Sequence, residues 1–288
     1  MMEESVVITF WLSYGGGVNS TALAIPLCEG KLPQYQPWEA IFSDTHDARP
    51  KTYEYVEKIF VPYLSRFGKV LYQVRPKEGV LERWERLRVT GSRILRACSS
   101  IAKIEPIEKY LEGQGGKICQ LIGIDADQPH RARPPHPQDK FEKRYPLVDL
   151  DIDRAGCEEI IRNAGLPIPP KSGCWHCRFM RVDEVMDLAI FEPEKFSRIA
   201  QLEKMATEMH GPVPIYQLRW VGVDSEGGDI HEEVIVGSEP RTQWGNRPAE
   251  YWMERAKKRE EVRRIQRTQI EMFDSDSEPQ MPCGCYDG

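Results

Sequence analysis

Val6 to Leu12 is an unbroken apolar run, rich in β-branched and aromatic residues, and it predicts a strand buried on both faces of a parallel sheet. A glycine-rich stretch follows at once. From Ser20 the residues Thr21, Ala22, Leu23 and Ala24 suit a helix, so the opening unit reads strand, phosphate-type loop, helix. The alternation then repeats. Ala40 to Ser43 predicts a second strand, and Pro50 begins a helix in which Tyr53, Val56, Ile59 and Phe60 recur at helical spacing. Val70 to Val74 predicts a third strand, Leu81 to Leu87 and Ile101 to Leu111 are helical, and Ile118 to Ile124 predicts a fourth strand. Strands alternating with helices imply an α/β fold with a doubly wound, mostly parallel sheet, whose C-terminal edge should hold the ligand.

Between Pro129 and Pro137, prolines mixed with basic residues forbid regular structure and predict a loop that closes over the site. Cys157 to Asn163 reads as a helix ended by Gly165 and Pro167. Beyond Cys177 the pattern changes: Val182 to Met209 is mostly helical, Ile215 to Val223 reads as a strand, and Glu250 to Phe273 is a long charged helix. The expected organisation is a nucleotide-binding domain over residues 1–180, a mainly helical accessory region over 181–273, and a flexible cysteine-containing tail over 274–288.

Composition narrows the function. The chain is 40% apolar and 29% charged, and none of its apolar runs approaches the roughly 20 residues that a membrane span requires. The start, MMEESVVITF, shows neither the basic opening nor the cleavage site of a secretory signal, so a cytoplasmic location is expected. In that compartment the eight cysteines are thiols first, suited to metal binding or redox chemistry. The net charge of -6 argues against a broadly basic surface for nucleic acid. The run Arg255, Lys257, Lys258, Arg259, Arg263, Arg264 and Arg267 keeps a local patch open, but Glu254, Glu260 and Glu261 make a solvated helix face the plainer reading.

The stretch Ser13 to Thr21 carries the first candidate chemistry. Gly15, Gly16 and Gly17 remove every Cβ between strand and helix, so backbone amides can converge on an oxyanion at the positive end of the helix. Ser20 and Thr21 add hydroxyl donors. The stretch resembles the pyrophosphate loop of adenine nucleotide alpha hydrolases, Ser-Gly-Gly-x-Asp-Ser, with Gly15 in the first serine position and Asn19 in the aspartate position. A magnesium ion held at residue 19 is disfavoured by that second departure, so the resemblance supports nucleotide binding more than phosphate cleavage.

Further segments match. Asp44, Thr45, Pro50 and Thr52 resemble an Asp-Thr-Gly and Pro-x-Thr element, which implies Asp44 and Thr45 near the ribose and base; a plain helix cap is the alternative. Gly123, Ile124 and Arg131 resemble a Gly-Ile segment with a downstream arginine, and the planar fork of Arg131 suits sulfate or phosphate. Cys98 and Lys103, then Tyr145 to Leu147, Gly165 to Pro167, and Cys174 to Cys177, resemble the motif succession of the phosphoadenosine phosphosulfate reductase family over residues 8–180. Lys103 can neutralise a phosphate.

Cys174 and Cys177 are spaced to grip one metal ion. With Cys98 they supply three thiolates, and the resemblance implies a [4Fe-4S] cluster whose fourth ligand would be Cys157, Cys283 or an external group. Zinc bound with His176 and simple reduced thiols are the competing readings, while Cys28 and Cys119 read as core. Cys283 to Tyr286 resemble the mobile tail in which sulfonucleotide reductases carry a nucleophilic cysteine.

The function expected is an enzyme that binds ATP or an adenine sulfonucleotide and transfers or reduces sulfur, with a thiol or electron-donor protein as partner. The alternatives are an ATP-dependent adenylating or sulfur-inserting enzyme acting on nucleic acid, and a non-catalytic nucleotide-binding module with structural zinc.

Overall fold

A computed structural model describes residues 8–91, 97–223, 229–244 and 247–275. Val6 and Val7, Arg96 and the tail with Cys283 and Cys285 lie outside the described residues. Contacts divide the chain into two compact units, Met1–Leu87 with Gly91–Cys177, and Arg88–Thr90 with Arg178–Gly288.

The first unit runs β1 (Ile8–Tyr14), α1 (Val18–Cys28), β2 (Trp38–Ser43), then α2 (Pro50–Tyr55), which passes through a π turn (Val56–Phe60) into α3 (Val61–Ser65). It continues with β3 (Leu71–Val74), α4 (Val80–Leu87) and α5 (Ala97–Ser99), which passes through a second π turn (Ser100–Ile104) into α6 (Glu105–Glu112). β4 (Lys117–Ile122), β5 (Glu142–Arg144), α7 (Pro146–Asp149) and α8 (Arg154–Asn163) complete it. The five strands are all parallel in the order β3-β2-β1-β4-β5. This is the doubly wound sheet that the strand and helix alternation predicts. The order reverses between β1 and β4, which opens a crevice beyond their carboxyl ends.

Burial explains which strands were visible in the pattern. Leu12, Ala40, Ile41 and Leu121 are fully buried in the central strands, and Trp38 is sealed in the core with its indole donating to the Leu27 carbonyl at 3.2 Å. By contrast β5 is Glu142, Lys143 and Arg144, half-buried to exposed, with no apolar alternation to announce it. It is an edge strand whose charges suit its position, and its partner β4 supplies the hydrophobic contact. The proline-rich loop also departs from expectation: Pro129–Arg131 forms a single turn of 3-10 helix, with the proline ring preset for its first position.

The second unit holds α9 (Val182–Phe191), α10 (Pro193–His210), the antiparallel pair β6 (Val213–Val223) and β7 (Asp229–Glu239), and α11 (Ala249–Ser275). β7 was not expected, because its run of Glu232 and Glu233 lacks a strand's apolar face. Phe196 stacks on the fully buried Trp244 with ring centroids 5.5 Å apart. The buried Glu203 carboxylate accepts the amides of Gln243 at 2.6 Å and Ala249 at 2.7 Å, which ties Gln243 to the start of α11. Burial pushes that carboxyl up to about 7. Among the described residues no helix is long and apolar enough to cross a membrane.

Candidate functional site

β1 delivers its last residues to the sheet's carboxyl edge, and the three glycines then divide their roles. Gly15 is exposed. Gly16 has a φ of +70°, and a Cβ there would come within 2.9 Å of the Thr52 methyl. A Cβ on Gly17 would stand 2.8 Å from Ser172 Oγ. Gly16 and Gly17 therefore let the loop pack closely against its neighbours, and Gly15 alone of the three faces open space.

Two hydroxyls expected as ligand donors are committed to the loop itself. Ser20 Oγ accepts the Gly15 amide at 3.2 Å and donates to the Gly17 carbonyl at 3.2 Å. Thr21 is fully buried, donating to the Gly17 carbonyl at 2.9 Å and pairing with the Tyr14 hydroxyl at 3.2 Å. Its position inside the core sets it apart from any ligand. What remains for an anion is the first turn of α1, which begins at Gly17 with no side-chain cap on its amides.

Gly123 supports that turn from beneath. A Cβ at Gly123 would meet Ser20 N at 2.8 Å and the Asn19 carbonyl carbon at 2.9 Å, so only glycine lets the end of β4 lie against the start of α1. Asn19 is held at both ends, its Nδ2 donating to Asp125 Oδ2 at 2.9 Å and its Oδ1 accepting from Arg154 Nη1 at 3.2 Å.

In front of Gly15 opens a cavity of about 290 Å³. Ser13, Tyr14 and Gly15 line it from β1 and the loop, Ser43 and Thr45 from the end of β2, and Ile122 and Ile124 from the end of β4. The second π turn contributes Lys103 and Ile104, and Ser43 Oγ anchors that turn by donating to the Ala102 carbonyl at 2.7 Å. Arg131 and Arg133 reach in from the proline-rich loop, Lys143 from β5, and Cys174 closes the wall. The walls are apolar and four cations punctuate them.

The cations differ in how far they are neutralised. Asp139 accepts from Arg133 Nη1 at 3.0 Å, from Arg133 Nη2, and from Lys143 at 2.8 Å, and these partners hold its carboxyl well below the usual carboxylate range. Arg131 Nη1 donates only to the neutral Gln128 Oε1, at 2.8 Å. Lys103 has no ion-pair partner among the described residues. The cavity therefore keeps a surplus of positive charge, which suits a polyanion attached to an apolar body.

Asp44 is placed otherwise than the sequence suggests. Its Oδ1 accepts the Tyr53 hydroxyl at 2.5 Å and the His46 amide at 2.9 Å, which stabilises His46 at a φ of +64°. The carboxylate organises the turn after β2, while its neighbour Thr45 stands in the cavity wall.

The cysteines separate into distinct settings. Cys157 is fully buried in the main core cluster, where burial pushes its thiol up to about 12. Cys119 is buried as expected, and Cys28 is half-buried against the same core. Cys98 is half-buried on α5. Cys174 meets Thr45 Oγ1 at 3.6 Å, and a tight turn returns the Cys177 amide to the Cys174 carbonyl at 3.1 Å. Burial pushes the Cys174 thiol up to about 11 despite the Thr45 contact and the Lys103 charge. At pH 8 only about one Cys174 in a thousand is thiolate, so alkylation by iodoacetamide should be slow there and accelerate as pH rises toward 11, read by mass mapping of the modified peptide. Rapid alkylation at pH 7 would contradict this environment.

His176 is enclosed by Trp84 and Trp175, each ring 5.1 Å away edge-on, with Nε2 at 3.2 Å from Asp47 Oδ2. Burial alone would raise the Asp47 carboxyl, but the His176 contact and the Leu81 and Val80 amides outweigh it and leave it lowered. Among the described residues no group of three or more His, Cys, Asp or Glu side chains is arranged to hold a metal. Cys174 and Cys177 share one tight turn, while Cys98 lies on α5.

Several site residues escaped the sequence reading. Arg133 and Lys143 enter the cavity, and Arg154 reaches Asn19, yet none sits in a recognised motif. The signal for Arg133 was its pairing with Arg131 in Arg-x-Arg; Lys143 lay in a strand that went unread.

The topology and the crevice at the switch point define an α/β protein built to hold a ligand at the carboxyl ends of its strands. The chain belongs to the phosphoadenosine phosphosulfate reductase family: the model of that domain matches residues 9–157, more than half of the 288. No curated protein matches the sequence. Among solved structures, a phosphoadenylyl-sulfate (PAPS) reductase from Candida auris in a phosphate complex is similar at 19% identity and a TM-score of 0.42, over 60% of this chain and 83% of that one. The U34-tRNA thiolase NcsA from Methanococcus maripaludis, with its [4Fe-4S] cluster, is similar at 16% identity and a TM-score of 0.42, over 72% of this chain and 74% of that one.

Proposed function

We propose that this chain is an enzyme that binds an adenine sulfonucleotide in the cavity before Gly15 and reduces its sulfur. The observation that carries the reading is the meeting, in one cavity, of Gly15 from the loop that leads into α1, the under-neutralised cations Lys103 and Arg131, and an apolar wall. The helix end takes the phosphate, the cations take the sulfate, and Phe42, Ile104 and Ile107 offer the base an apolar surface.

In this reading a thiolate attacks the sulfate sulfur, the sulfur–oxygen bond to the phosphate breaks, and the nucleoside monophosphate leaves with the bonding electrons. A second thiol then attacks the S-sulfocysteine, releasing sulfite and forming a disulfide that a dithiol donor protein reduces. Lys103 and Arg131 hold the sulfate for attack, and the helix end stabilises the charge that grows on the departing phosphate. Cys283 in the tail is the proposed nucleophile, since the Cys174 thiol is held protonated by burial.

Anaerobic protein mixed with adenosine 5′-phosphosulfate and a dithiol should release sulfite, and Cys283→Ser should reduce that release to background. Pyrophosphate release from ATP without sulfite from any sulfonucleotide would replace the reading with ATP-dependent adenylation or sulfur insertion.

A further inference from the structure

The side chain of residue 19 cannot turn over. A carboxylate only accepts and a guanidinium only donates, so the Asn19 nitrogen must face Asp125 and its oxygen must face Arg154. Asp125 is 1% exposed, and its second oxygen, Oδ1, is buried with no partner. A carboxylate placed at residue 19 would therefore lie against a buried like charge at the 2.9 Å spacing now bridged by the amide. The one oxygen that residue 19 does offer is already taken by a cation.

That cation is firmly mounted. The Arg154 backbone amide donates to Asp127 Oδ2 at 2.9 Å and its Nε to Glu158 Oε1 at 3.3 Å, while about half of the side chain stays open to solvent, at 49%. Nη1 reaches the side chain of Asn19 in the first turn of α1. A magnesium site at residue 19 does not fit these residues, because the Asn19 oxygen already accepts from the Arg154 guanidinium.

We propose that Arg154 substitutes for a divalent cation at the phosphate loop, so that the chain binds its polyanion without magnesium. This rests on the reading that the α1 first turn grips phosphate. A fixed guanidinium supplies positive charge and directed donors without the dehydration that magnesium resists.

Calorimetric titration of the full chain with ATP, in EDTA and again in excess magnesium chloride, tests it. The two dissociation constants should agree within about five-fold, and Arg154→Ala should weaken binding in EDTA by more than about five-fold while Arg154→Lys recovers part of the loss. Asn19→Asp should become dependent on magnesium, because two adjacent carboxylates then make a cation site; unchanged melting of Arg154→Ala separates loss of charge from loss of fold. Tightening of wild-type binding by more than about five-fold on adding magnesium, or undiminished binding by a folded Arg154→Ala, overturns the proposal. Absence of ATP binding under both conditions overturns instead the reading of the loop as a phosphate grip, and this inference with it.

Discussion

Gly123→Ala is expected to destabilise the nucleotide-binding unit by about 1 to 3 kcal/mol and to remove most of its nucleotide affinity. The added methyl carbon would stand 2.8 Å from Ser20 N, 2.9 Å from the Asn19 carbonyl carbon and 3.0 Å from Ser20 Cα. All three are main-chain atoms of the α1 first turn and cannot rotate aside, so the helix start must lift from the end of β4. In a unit of this size each kcal/mol lowers Tm by about 2 to 4 °C. In the proposed function binding suffers more than stability, because the displaced turn carries the amides assigned to the anion, and their value depends on aim. Thermal unfolding and nucleotide titration of the variant check both effects; an unchanged Tm with unchanged affinity would contradict the packing described.

The second large effect is expected from the cavity cations. Lys103→Ala and Arg131→Ala should each weaken nucleotide binding by about 10- to 100-fold, the range for a hydrogen bond to a charged group worth about 1.5 to 3 kcal/mol. Both side chains are exposed, which places the effect toward the lower end and leaves the melting temperature nearly unchanged. Arg133→Ala should do less to the ligand, because Asp139 already draws on its charge, and more to the proline-rich loop that it ties down. Arg131→Lys keeps the charge but not the planar fork, so an intermediate loss is expected. Equilibrium binding of the single variants and of the double variant separates these contributions; a double variant that binds like wild type would show that the anion rests elsewhere.

Much of this site could be read from the chain. Gly15, Lys103, Arg131, Thr45 and Cys174, singled out far apart in sequence, meet around one cavity because strand ends and the loops after them converge at a doubly wound sheet's carboxyl edge. What the chain concealed has physical reasons. A glycine pattern records that Cβ atoms are excluded but not what excludes them, so the packing of Gly16 on Thr52 and Gly17 on Ser172 could not be told from phosphate contact. Thr21 follows the loop like a donor, yet helical geometry turns it toward Tyr14 in the core. Asp44 is claimed by Tyr53 nine residues on, and Asn19 by Arg154 at a separation of 135 residues, so both pairings depend on the finished fold. The edge strand β5 gave no hydrophobic signal because all three of its residues are charged, and with it Lys143 went unnoticed.

The central claim is that the uncapped first turn of α1, with Gly15, receives the phosphates of an adenine nucleotide. It is tested most directly by following backbone amide resonances while ATP is added to the wild-type chain. The signals of Gly15, Val18, Asn19 and Ser20 should move in a single saturable transition, reversed by competing inorganic pyrophosphate. Saturable ATP binding that leaves those four amides unmoved, or no saturable shift anywhere in a folded protein, would contradict the account.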